Sequence, residues 1–126
     1  MKLFDIMIVG FGGGFGAISR FAIAWGCQRF LALSAPIGTL IANVTGCFLI
    51  GLLIGSGKAE QSETARLLLG VGFLGGLTTF STFGAETIAH LQQGQYTAAG
   101  GHIALNVVLG LLAVVLGIAL GKKVSA

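Results

Sequence analysis

Asn43, Thr39, Phe80, Ser81, Thr82 and Phe83 are uncharged residues whose types and spacing suit the handling of an ion. An asparagine amide offers two N–H donors and each hydroxyl offers one O–H. An aromatic ring carries partial positive charge at its edge. Phe80 and Phe83 stand three apart, so they share a face of any helix that contains both. Gathered round a cavity, such groups replace the water shell of a small anion without a fixed positive charge. They also hold it weakly enough to let it go. Two phenylalanines at this spacing are equally at home as core or lipid-facing side chains. The polar company of Ser81, Thr82 and Asn43 is what favours the anion reading.

A second group is ionisable or strongly polar and falls within apolar sequence: Arg20, Glu86, His102 and Asn106. Such groups inside a membrane span face a partner or a wet cavity and are functional candidates by default. Arg20 has no acidic neighbour on its own stretch. It either caps carbonyls of another helix or raises the potential for anions at a vestibule. Glu86 follows the phenylalanine pair and can pair with a cation such as Arg20, face an aqueous entry or carry a coupled proton. His102, Asn106 and Gly110 recur every four residues and share a helix face. They form either a polar track or interhelical glue. His90 and Trp25 lie near the ends of their stretches and suit the interface.

The elements that position these residues are set by composition. Of the 126 residues, 55% are hydrophobic and 9% charged, and mean hydropathy is +0.96. A soluble domain carries about 25% charged residues, so a surface this apolar calls for lipid as solvent. About 20 apolar residues span a bilayer core. Stretches at about 4–27, 37–55, 64–91 and 98–120 qualify, which predicts an all-α membrane protein of four transmembrane helices in a single domain, residues 1–126. The first stretch opens like a signal peptide but runs on too long and lacks a convincing cleavage site, so it reads as a retained helix. The 22 glycines lie within the apolar stretches, where small residues let helices approach.

Residues 75–84 read Gly-Gly-Leu-Thr-Thr-Phe-Ser-Thr-Phe-Gly. Gly costs about 1 kcal/mol relative to Ala in a helix, and hydroxyl side chains compete for backbone hydrogen bonds. Two readings follow. Either the third helix breaks near Gly75 to Thr79, or an unbroken helix turns a glycine-rich face to a neighbour. Carbonyls freed by a break can coordinate a cation such as Na⁺.

Short connections make successive helices antiparallel and put both termini on one side. Lys2, Lys58, Arg66, Lys122 and Lys123 fall there, and Arg29 falls opposite. The positive-inside rule then favours cytoplasmic termini. The net charge of +3 and pI of 9.2 come from these helix ends, not from a nucleic-acid-binding face. Cys27 and Cys47 have no metal spacing and read as small buried hydrophobes. No catalytic triad, paired carboxylates or phosphate loop is legible, and glycine-rich 10–16 lies inside an apolar stretch. The chain does not read as an enzyme.

Three local patterns resemble the Fluc (CrcB) family of bacterial fluoride channels. Gly14-Phe15-Gly16-Ala17-Ile18-Ser19-Arg20 is similar to its first-helix motif. Gly38-Thr39-Leu40-Ile41-Ala42-Asn43-Val44-Thr45-Gly46 is similar to its second. Gly75 to Phe83, followed by Glu86 where the family usually has an acid, is similar to its most specific one. The resemblance spans essentially the whole chain. It implies an antiparallel, dual-topology homodimer in the bacterial inner membrane with two fluoride pathways. It also implies that Phe80 and Phe83 are the lining rings, Asn43 the pore amide, and Ser81, Thr82 and Thr39 the neighbouring hydroxyls. Arg20 takes the place of a vestibule arginine. Gly75 and Thr78 take the places whose backbone carbonyls, from both subunits, hold a structural Na⁺. The chain departs from the family at Gly84, often Ser, and at His102, Asn106 and Gly110, where Tyr and Ser are frequent. Its Lys/Arg bias also leans to one side, which a dual-topology protein should not do.

The resulting expectation is a fluoride-selective channel that passively exports cytoplasmic F⁻. A small four-helix proton-coupled exporter of the multidrug type is the alternative. Such exporters carry an essential acid in the first helix, where this chain has Arg20. A non-transporting assembly subunit is a third possibility, and it predicts no ion flux.

Overall fold

The computed structural model describes residues 2–125, and among them every regular element is helical. Helix α1 (Leu3–Leu31) ends at Ala32, whose left-handed conformation (φ 53°) turns the chain towards α2. Helix α2 (Ala35–Gly55) opens with Pro36 in its first turn, where a missing N–H leaves no bond unmade. The short α3 (Lys58–Gln61) leads into the third span. That span comprises α4 (Glu63–Ala65), a π-helical stretch (Arg66–Leu74), α5 (Gly75–Leu77) and α6 (Phe80–Gln92). Helix α7 (Tyr96–Ser125) closes the chain.

Four segments are long and apolar enough to cross a membrane: Leu3–Leu31, Ala35–Gly55, Glu63–Gln92 and Tyr96–Ser125. They overrun the apolar stretches read from sequence, most at Leu31 and Ser125. Helical hydrogen bonding does not stop where hydrocarbon does, and polar end residues continue the ladder into the interface. The exterior is apolar: Phe11, Phe15, Ile18, Phe21 and Trp25 on α1 are all exposed, as are many aliphatic side chains of α7. Leu77, beside the site described below, is the largest side chain buried almost completely.

Glycines set the helix spacing. On the α2–α7 seam, a Cβ at Gly51 would lie 3.0 Å from the Gly117 Cα, and one at Gly121 would lie 2.8 Å from the Ser56 nitrogen. Between α1 and the third span, a Cβ at Gly16 would lie 2.8 Å from the Leu77 nitrogen. Backbone thus meets backbone on both seams, the close approach that small residues permit between membrane helices. At the charged end, the Ser125 hydroxyl donates to the Ser56 carbonyl at 3.0 Å, tying the end of α7 to the end of α2.

Candidate functional site

The site begins with two threonines. Thr78 (φ −81°, ψ 154°) and Thr79 (φ −148°, ψ 116°) are extended between α5 and α6. Gly75 and Gly76, the weakest helix formers of the run, are themselves helical. Extended residues at this depth must find partners for their backbone inside the protein. Asn43 on α2 supplies them. Its Oδ1 accepts the Thr79 N–H at 2.8 Å, and its Nδ2 donates to the Thr79 carbonyl at 3.3 Å. Nδ2 also donates to Asn106 Oδ1 on α7 at 2.9 Å. Both amide hydrogens that the sequence offered to an anion are therefore engaged.

Thr79 also caps α6. Its hydroxyl oxygen accepts the Thr82 N–H at 3.2 Å, the side-chain bond that satisfies an otherwise orphaned first-turn donor. Its own proton goes to Thr82 Oγ1 at 3.0 Å. The Ser81 hydroxyl lies 3.3 Å away on an exposed face. Thr82 thus accepts from Thr79 and keeps its own O–H proton to offer.

These bonds free particular carbonyls. In a continuous α-helix the Thr79 N–H would serve Gly75, that of Phe80 would serve Gly76, and that of Thr82 would serve Thr78. Asn43 and the Thr79 hydroxyl take two of those protons. Arg20 on α1 reaches across to Gly76, its Nε donating to that carbonyl at 3.1 Å. Of the two sequence readings of Arg20, capping is therefore the one realised in these contacts. The carbonyls of Gly75 and Thr78 are left as hard oxygen ligands beside one groove, a donor set that suits Na⁺.

Two clefts meet at Thr79. One, of about 430 Å³, is lined by Asn43, Gly75, Thr78, Phe80, Phe83 and Asn106 among others. The second, of about 420 Å³, is lined by Arg20, Thr39, Thr82 and Glu86 among others. Thr79 forms part of both walls. The rings of Phe80 and Phe83 are 5.5 Å apart and inclined by 48°, and Phe80 is 84% exposed.

Glu86 does not pair with Arg20. The buried Thr39 hydroxyl donates to its Oε1 at 2.9 Å, and His102 Nε2 lies 3.2 Å from its Oε2. The imidazole also stacks obliquely at 5.2 Å from Phe83. Asn106 Nδ2 donates to the His102 carbonyl at 2.9 Å and lies 3.3 Å from its Nδ1. A continuous polar chain therefore runs from Thr39 through Glu86, His102, Asn106 and Asn43 to the Thr79 backbone. Thr79 as pivot and the Glu86–His102 pair are features the sequence reading missed. The adjacent threonines signalled the first, and the substitution of His where relatives of this pattern favour Tyr signalled the second.

Known proteins are similar to this chain over nearly its whole length. Residues 7–118 match the family described as CrcB-like protein, Camphor Resistance (CrcB). A protein of Desulfotalea psychrophila named fluoride-specific ion channel FluC is 44% identical, over 94% of this chain and 92% of its own length. A protein of the same name from Chloroflexus aurantiacus is 43% identical, over 94% and 95%. One from Vibrio vulnificus is 41% identical, over 98% and 100%. With the match covering nearly the whole chain, this multi-pass membrane protein belongs to the CrcB family.

Proposed function

We propose that the chain is a fluoride-specific channel that lets cytoplasmic F⁻ leave passively down its electrochemical gradient and so confers fluoride resistance. The near-full-length identity to relatives named for fluoride-specific conduction carries the reading. The site geometry supports it: the Phe80 and Phe83 rings line one groove with no Lys or Arg among its described lining residues, and Thr82 lines the cleft that adjoins it at Thr79. On this reading a dehydrated F⁻ passes the edges of Phe80 and Phe83. The Thr82 and Ser81 hydroxyls supply hydrogens, while Thr39 is committed to Glu86. Asn43 acts chiefly by holding Thr79 in the shape that exposes these groups.

The working unit on this reading is an antiparallel, dual-topology homodimer in the bacterial inner membrane, giving two pathways. The exposure of Phe80 and the open groove leave a wall for a second copy to supply. Gly75 and Thr78, through their freed carbonyls, are the residues that would hold a shared Na⁺. Bound there, the ion would neutralise carbonyl dipoles that otherwise repel an anion.

Fluoride efflux from proteoliposomes, with chloride as the control anion, tests the proposal. Rapid F⁻ release with chloride retained is the expected result, and Phe80→Ile or Phe83→Ile should reduce it sharply. Release no faster than from protein-free liposomes, with the protein folded and dimeric, overturns the function. Undiminished release in both variants overturns the pathway.

A further inference from the structure

Glu86 and His102 face each other in the protein interior, their side chains 15% and 5% exposed. His102 Nε2 and Glu86 Oε2 are 3.2 Å apart, close but not aligned as a hydrogen bond, and neither atom has a hydrogen-bond partner among the described residues. Their remaining polar atoms are occupied. Glu86 Oε1 accepts from Thr39, and His102 Nδ1 lies 3.3 Å from the amide donor Asn106 Nδ2. A donor at that place makes Nδ1 an acceptor, so in the neutral ring the proton sits on Nε2, facing the carboxylate. The pair in that state carries a single negative charge.

The other titratable or charged groups about the pair are few. On α6, the His90 ring lies 6.3 Å from that of His102, with its Nδ1 2.6 Å from Gln95 Oε1. On α1, Arg20 shares a cleft with Glu86 and keeps its positive charge there while its Nε donates to the Gly76 carbonyl, and it makes no ion pair with the carboxylate. On α2, the thiol of Cys47 lines the opposite groove. On α7, Asn106 beside His102 does not titrate. The pair's own charge is therefore the local negative charge, with Glu86 on one cleft wall and His102 stacked behind Phe83 on the other.

We infer that Glu86 and His102 together form one proton-binding site beside the anion pathway, and that proton uptake there raises anion flux. The inference rests on the pathway reading above. The added proton belongs to the pair rather than to either residue. On the imidazole it gives a zwitterion and obliges Asn106 to turn its amide. On the carboxylate it gives a neutral acid that donates to His102. Either way the net charge goes from negative to zero, which removes a repulsion on F⁻. Proton uptake as pH falls therefore raises flux. Removing one negative charge beside the pathway, partly screened, is worth on the order of tenfold in flux.

The test is fluoride efflux from proteoliposomes at symmetrical pH, compared at about pH 5.5 and about pH 8.5. Protein-free liposomes correct for HF that crosses lipid unaided. Wild-type flux should be roughly tenfold higher at the acid end. Glu86→Gln and His102→Gln should each flatten that ratio, whatever their absolute rates, and His90→Gln should preserve it. A wild type that conducts equally at both pH values overturns the inference and leaves the channel standing. A response abolished only by His90→Gln also overturns it. Uniformly lower flux in His102→Gln with the ratio intact reduces that residue to packing and does the same. A wild type silent at every pH overturns the channel and the inference together.

Discussion

The α2–α7 seam and the third span both depend on glycine, but they use it differently. On the seam, Gly51 and Gly55 of α2 meet Gly117 and Gly121 of α7, and two unbroken helices touch along their backbones. Each helix satisfies its own hydrogen bonds, and glycine contributes only its lack of bulk. In the third span the ladder ends with the Thr78 N–H on the Leu74 carbonyl, and the Thr79 backbone is bonded from outside by Asn43. There the neighbouring helices supply part of the backbone's hydrogen bonding. The seam acts as a scaffold whose chemistry is complete. The third span is incomplete without α1, α2 and α7, and for that reason it presents groups an ion can use.

Substitution should separate the two regimes. The largest effect is expected on the seam. Gly117→Leu forces bulk against the Phe48 carbonyl and the Leu52 nitrogen, both backbone atoms that cannot rotate away. Overpacking of about 3 kcal/mol or more is expected, read as loss of folded protein on gel filtration in detergent. A folded, active Gly117→Leu channel would mean that the seam is soft. Next comes Asn43→Leu. It keeps the volume nearly constant but leaves the buried Thr79 N–H without its partner, at about 1–3 kcal/mol. Folding should weaken, and fluoride flux should fall more than thermal stability does. Equal flux in Asn43→Leu would show that the extended threonines hold their shape unaided.

The sequence disclosed these two regions unequally. The four spans follow from apolar length alone, because lipid imposes one rule on every helix. The run from Gly75 to Phe83 left open a break near Gly75 to Thr79 or an unbroken helix, and the extended residues fall at the end of that window. Propensity weighed the glycines together with the threonine pair, whereas the glycines are helical and the extended Thr79 is held by hydrogen bonds from Asn43. Arg20 showed itself as an expensive residue in need of a partner, yet its partner is a carbonyl 56 positions away. Spacing along one helix cannot show such a pairing. The same holds for Glu86. Arg20 was the obvious cation for it, but the fold sets it between Thr39 and His102.

Thr79 offers the smallest and most specific test. Its hydroxyl accepts the Thr82 N–H and donates to Thr82 Oγ1, while its backbone is held by Asn43. Thr79→Ser keeps the hydroxyl and loses a methyl group, so the cap and the polarisation of Thr82 survive. Thr79→Val keeps the shape and loses the hydroxyl, which costs about 1 kcal/mol in capping. It also frees Thr82 Oγ1 from the proton it now accepts. If the break works as a donor array, Thr79→Val should lower fluoride flux while Thr79→Ser leaves most of it, with both variants folding. If the break is only a packing irregularity, the methyl decides instead. The order then reverses, with the serine variant the more impaired, and the contrast between a self-contained seam and a borrowed backbone loses its functional meaning.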